Sequence, residues 1–166
     1  MEIKYSILTA QHVKNVFSYN ADTGIFNWRQ KVAQRVKIGD LVGSKHHSGY
    51  LTVFTLGRSY RLHRLAWLYV HGTMPTCLID HINGVKSDNR IVNLRLSNPM
   101  ENAQNRHQAQ RGAESGLLGV ARNGNNWQAY IRVNKIPKYL GTFKTPQEAH
   151  QAYLVAKRKY HAACTI

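Results

Sequence analysis

The hydrophobic positions fall into two kinds of run along the chain. Thr9 opens a stretch in which Val13, Val16 and Phe17 recur at helical spacing, so a short capped helix is predicted there. Residues 19–24 follow as a turn, with Asp22 and Gly24 supplying its chemistry, and residues 25–28 read as a strand. Residues 50–56 (YLTVFTL) are rich in β-branched and aromatic side chains and predict a second strand, joined by Gly57 and Arg58 to Tyr60. Residues 63–70 predict a short helix stopped by Gly72. Trp67 and Tyr69 on it, and Trp28 before it, are expected in the core. Residues 104–115 (QNRHQAQRGAES) lose all apolar periodicity and read as a helix end running into a linker.

Beyond that break, residues 118–122, 127–133 and 138–143 predict three strands, with turns at 123–126 and at Asn134-Lys135. Thr145-Pro146-Gln147-Glu148 has the form of a capping box with proline at the first helical position. Ala149, Ala152, Tyr153, Ala156, Tyr160 and Ala163 then repeat at helical spacing, small enough to lie close on a sheet.

Composition narrows what such a chain does. With 23 Lys+Arg against 8 Asp+Glu, the 166 residues carry a formal charge of +15. At 43% hydrophobic the sequence is too apolar for a disordered basic tail. Residues 1–105 carry +7 and residues 106–166 carry +8, so both parts are basic. A polyanion is the implied partner, nucleic acid before an anionic membrane surface. The longest apolar run, residues 65–70, is far too short to span a bilayer, and no charged-then-apolar leader is evident, so a cytoplasmic protein of a bacterial or phage-infected cell is expected. Cys77 and Cys164 are too few for a four-cysteine zinc site and are expected as inert thiols.

The chemistry concentrates in residues 78–105 (LIDHINGVKSDNRIVNLRLSNPMENAQN). Asp80 and His81 stand side by side after an apolar run, and Asn83-Gly84 supplies a turn. Asn98-Pro99-Met100-Glu101 is a second capping box, which puts Asn102 in the first turn of a new helix. Phosphodiester hydrolysis needs an activated water and a countercharge. A neutral imidazole takes a proton near pH 7, and Asp and Asn oxygens suit Mg²⁺. Three carboxylates, Asp80, Asp88 and Glu101, favour one metal over two. Taken singly, His81 is as well explained as a hydrogen-bonded structural histidine, Asn93 as a turn residue, and His63 as a half-buried histidine or a phosphate-orienting one.

Four strings bear on these alternatives together: HRLAW at 63–67, IDHING at 79–84, DNRIVNLR at 88–95 and EN at 101–102. In order and spacing they resemble an HNH endonuclease of the phage homing type, whose ββα-metal motif holds one divalent cation. The resemblance implies His81 as general base, Asp80 and Asn102 as metal ligands, and Asn93 as the brace that orients the histidine. His63 is grouped with the catalytic set. Many relatives have His where Asn102 stands, and the change to an oxygen donor favours Mg²⁺, with Mn²⁺ next, over Zn²⁺.

Residues 115–162 resemble the AP2 DNA-binding domain, through SGLLGV at 115–120, WQAYIRV at 127–133, YLGTF at 139–143 and TPQEAHQAY at 145–153. That resemblance implies a three-stranded sheet set against duplex DNA, with Arg122, Trp127 and Arg132 as contacts and Lys138 and Lys144 as backbone contacts. Arg90 and Arg95 beside the site, and Arg106 and Arg111 in the linker, are further DNA-contact candidates. The expectation is an α+β chain: a ββα-metal (HNH) nuclease domain with an N-terminal α+β extension (1–105), a linker (106–114), and a small AP2-like three-stranded antiparallel sheet plus one helix (115–166). Its expected partner is double-stranded DNA, acted on by a monomer or homodimer. The competing expectation is a DNA-binding regulator whose HNH-like domain is only a scaffold; a structural RNA binder is a third.

Overall fold

The computed structural model describes residues 8–166, which divide into two compact units, one ending at Ser97 and the other spanning Asn98–Ile166.

In the first unit, Thr9 Oγ1 accepts the His12 N–H and caps helix α1 (Ala10–Val16). Strands β1 (Phe17–Tyr19) and β2 (Phe26–Trp28) form an antiparallel hairpin directly after it. Its turn is organised by Asn20, whose Oδ1 accepts the N–H groups of Asp22 and Thr23. Asn20, at the head of the turn, reaches the backbone two residues on, so it and not Asp22 supplies the side-chain acceptor. Strands β3 (Ser44–Lys45), β4 (Leu51–Thr55) and β5 (Arg58–Arg61) make a three-stranded antiparallel sheet in that order. The β4–β5 turn consists of Leu56 and Gly57, both at positive φ (48° and 73°), and Arg58 is already paired with Thr55. Two left-handed residues match the twist of a tight hairpin, which moves the expected connection back by one residue.

Helix α2 (Leu62–His71) follows at once and ends on Gly72 in the left-handed conformation. Its apolar face buries Leu62, Leu65, Ala66 and Leu68 against Val13, Phe17, Phe26, Ile79 and Leu94. Trp28, Trp67 and Tyr69 pack on this core from its partly exposed rim. Strands β6 (Leu78–His81) and β7 (Leu94–Ser97) pair antiparallel, and the 3₁₀ turn Ile91–Asn93 feeds the second of them.

The second unit begins with helix α3 (Pro99–Gln104), started by the expected capping box of Asn98 and Glu101. Strands β8 (Val120–Asn123), β9 (Asn126–Val133) and β10 (Ile136–Phe143) form an antiparallel sheet with β9 in the centre. Helix α4 (Pro146–Tyr160), capped by Thr145 and Glu148, packs on one face of it. Ala149, Tyr153 and Ala156 are buried there, with Leu118 and Ile131 across the interface. Gly119 has φ +72°, and an added Cβ would fall inside the Tyr153 ring. Ala163, placed by its spacing on the helix, is buried but lies past the helix end at His161. Lys157 is almost fully buried and donates its ammonium to the Arg106 carbonyl. Cys77 and Cys164 are both free thiols, and among the described residues no helix is long and apolar enough to cross a membrane.

Candidate active site

The β6–β7 pairing sets the site. Asp80 lies directly opposite Arg95 and His81 opposite Leu94. Cross-strand neighbours on one face are close enough for side chains to meet. Arg95 donates from Nε and Nη2 to Asp80 Oδ2, at 3.0 and 2.8 Å. Asp80 and His81 are 6% and 4% exposed, so both polar side chains sit inside the unit. Helix α2 brings His63 edge-on to His81, with ring centres 5.0 Å apart and planes at 83°. Tyr50, just before β4, packs on both, 4.9 Å from His63 and 5.7 Å from His81. Burial pushes the His63 pKa down to about 3, helped by the neighbouring His81, Arg61 and Arg64. Burial also lowers His81, with Asn89 and Asp80 pulling the other way and Lys86 adding to the fall. Both imidazoles are therefore neutral at pH 7, the state in which a histidine accepts a proton.

The loop between the strands is closed by Asn93. Its Oδ1 accepts the Asn83 N–H at 2.9 Å and its Nδ2 donates to the Asp88 carbonyl at 2.9 Å, while its own carbonyl accepts the Ile82 N–H. At 6% exposure, one amide side chain satisfies both ends of the loop, beyond the plain turn residue its spacing also allowed. Gly84, at φ +71°, donates its N–H to the His81 carbonyl and turns the chain back. Asp88 accepts from Asn83 Nδ2 and from Arg90, whose fork holds its carboxyl down at about 2. The candidate DNA contacts Arg90 and Arg95 are thus ion-paired with Asp88 and Asp80.

The sequence reading missed the support behind this loop. The Tyr19 hydroxyl donates to the Asn89 carbonyl at 2.7 Å, and the Ile91 N–H donates to the Ala21 carbonyl. Gly24, at φ +71°, lies so close to the Asn89–Arg90 backbone that any Cβ would collide with it. Burial, with Asp88 and Asp22 nearby, raises the Tyr19 pKa to about 12, so it remains a donor. Asn89 and Tyr50 also went unnamed. Their only signals were the DN pair at 88–89 and an aromatic residue after Gly49.

The structure gathers His63, Asp80, His81 and Asn93 in the first unit. Asn102 lies on α3 in the second, exposed, in the first turn after the Asn98 cap. Arg106 and Arg111 are exposed in the segment after α3.

Register sorts the sheet candidates. Trp127, Ala129 and Ile131 of β9 alternate onto the α4 side; Arg122 is opposite Trp127, and Lys138 is opposite Ile131. Arg122 is ion-paired with Glu114 at 2.7 Å and sits over the Trp127 ring, and Lys138 donates to the Tyr160 hydroxyl at 2.9 Å. Arg132 lies on the opposite face with Gln128, Tyr130, Tyr139 and Thr142, and Lys144 follows the end of β10. Tyr130 and Tyr139, rings 5.3 Å apart, were not singled out by spacing. Among the described residues no three His, Cys, Asp or Glu side chains converge as a metal-holding group.

Comparison with known proteins gives this arrangement a class. Residues 60–104 match the family model of the HNH endonucleases, so the chain carries an HNH endonuclease domain. An uncharacterized HNH endonuclease of Acanthamoeba polyphaga mimivirus is 32% identical over 109 residues, which cover 64% of this chain. The chain spans about half the length of that relative, 55% of it. No solved structure matches.

Proposed function

We propose that the chain is a metal-dependent DNA endonuclease with a nuclease module (1–105), a linker (106–114) and a duplex-binding AP2-like module (115–166). The observation that carries the reading is His81, a buried neutral imidazole beside a carboxylate, on a loop closed by Asn93, within the segment matched to HNH endonucleases. In this mechanism His81 takes the proton of the water that attacks the scissile phosphate. Asn93 holds the loop that carries His81, and His63 fixes the plane of its ring from the edge. Asp80 is the residue of the first unit that would hold one Mg²⁺-type ion; Asn102, the second ligand that the resemblance implies, lies in the other unit. Both are hard oxygen donors, which suits a cation that keeps most of its waters. When bound, such an ion supplies positive charge to the phosphate and to the leaving 3′ oxygen.

The AP2-like module binds through the sheet face turned away from α4. That face carries Arg132, Tyr130, Tyr139, Gln128 and Thr142 and no acidic side chain. Arg106, Arg111 and Lys144 add backbone contacts. The test is plasmid nicking with Mg²⁺ or Mn²⁺ against the same mixture with EDTA, run on the wild type and on His81→Ala. Metal-dependent cleavage that His81→Ala abolishes, with the gel shift retained, is the expected result. The Arg95 grip on Asp80 favours a second reading, a DNA-binding regulator on an HNH scaffold. Intact supercoil beside a clear shift in every metal selects that one.

A further inference from the structure

The cations near the His63–His81 pair differ in what they hold, and Arg64 donates to the Pro75 and Cys77 carbonyls. Arg90 and Arg95 are engaged by Asp88 and Asp80. Arg61, at the end of β5, has its guanidinium 4.6 Å from the centre of the Tyr50 ring. Lys86, in the β6–β7 loop, has its ammonium 5.2 Å from the same centre. No carboxylate lies within ion-pairing distance of either among the described residues. Lys86 donates one hydrogen bond to the Ser48 carbonyl at 3.0 Å, leaving two N–H groups for a ligand. The Tyr50 ring that carries both cations is the one packed on His63 and His81.

Two unneutralised cations brought to one ring from different elements repel each other unless an anion joins them. An arginine fork and a lysine point charge are the pair of donors that a phosphodiester takes well. We propose that Arg61 and Lys86, held on Tyr50, form the subsite that grips a phosphate of the cleaved strand beside His81, with Tyr50 as a positioning residue. The proposal rests on His81 being the general base, and it adds two substrate contacts that neither motif spacing nor the family match assigns.

The test uses the full chain and a short duplex. Affinity is measured in EDTA across a salt series, and cleavage is measured with Mg²⁺. Arg61→Gln and Lys86→Gln should each reduce the log–log salt slope of binding by about one unit. Each should also lower kcat/KM about 10-fold, the loss of one charge-assisted hydrogen bond. Tyr50→Ala should lower cleavage similarly, and Tyr50→Phe should restore it with an unchanged melting temperature. Lys31→Gln removes an exposed charge that none of these ring contacts involves. An equal slope change there would mean that net charge alone was read, and would overturn the proposal. Unchanged slopes for Arg61→Gln and Lys86→Gln, with His81→Ala still inactive, would overturn the subsite and leave the nuclease standing. Altered slopes in a chain that cuts nothing would do the reverse.

Discussion

In the first unit the buried residues include His63, Asp80, His81, Asn89, Asn93 and Ser97, all on α2 or between β6 and the end of β7. In the second, α4 and the sheet enclose Leu118, Ala129, Ile131, Ala149, Tyr153 and Ala156, and the buried polar residues are Asn105 and Lys157. The chemistry behind this contrast is simple. A buried polar group costs about 1–3 kcal/mol unless its partners are supplied. Apolar packing carries no such condition. The second unit is therefore held mainly by shape, and the first depends locally on polar pairings such as Asn93 with Asn83 and Asp88, and Arg95 with Asp80.

Substitutions can break that comparison, beginning with the largest effect. His81→Ala should reduce cleavage by about 10²–10⁴-fold, the usual contribution of a general base, with duplex binding retained in a gel shift. Gly119→Ala strikes the shape-held unit, because its Cβ needs the space of the Tyr153 ring at a left-handed φ. It should destabilise that unit by about 3 kcal/mol, read in denaturant unfolding. Asn93→Ala removes both loop-closing hydrogen bonds and should cost about 2 kcal/mol. Hydrogen exchange should then rise in residues 82–93 before it rises in the α4 sheet; uniform acceleration would mean that the loop is not a separate network.

Acid provides a finer probe of the same difference. His63 titrates near 3 when folded and near 6.5 when unfolded, so between these values the unfolded chain binds more protons. Its stabilising effect is complete above the unfolded value and falls as pH drops toward the folded one, by about 2 kcal/mol from pH 7 to pH 5. Thermal melts should show that loss in the first unit, and His63→Asn should flatten it. The smallest expected change is at Thr145→Ala, about 1 kcal/mol for a lost helix cap in the second unit.

Elements marked by local chemistry were legible in the sequence. Thr9, Asn98 and Thr145 start helices, Gly72 ends one, and the three strands of the second unit fall close to their expected spans. Adjacent Asp80 and His81, with Asn93 downstream, were also picked out by spacing, and the structure buries all three in the first unit. What spacing did not reveal depends on register and on distant contacts. That Arg122 and Lys138 lie on the α4 side follows only from their partners across β9. That Arg95 stands opposite Asp80 follows only from strand pairing. Leu56 gave no sign of a left-handed turn, since a leucine there is tolerated only because the hairpin closes around it.

The Tyr19–Gly24 turn has a practical consequence for dissecting such proteins. The stretch recognisable by family, residues 60–104, starts inside β5 and runs past the first unit's end at Ser97. The backing of the Asn89 loop lies well before it, in Tyr19, Ala21 and Gly24. A recombinant cassette trimmed to the recognisable stretch would carry His63, Asp80, His81 and Asn93 without the wall that backs their loop. Module swaps between such chains should therefore cut upstream of α1, not at the edge of the similarity.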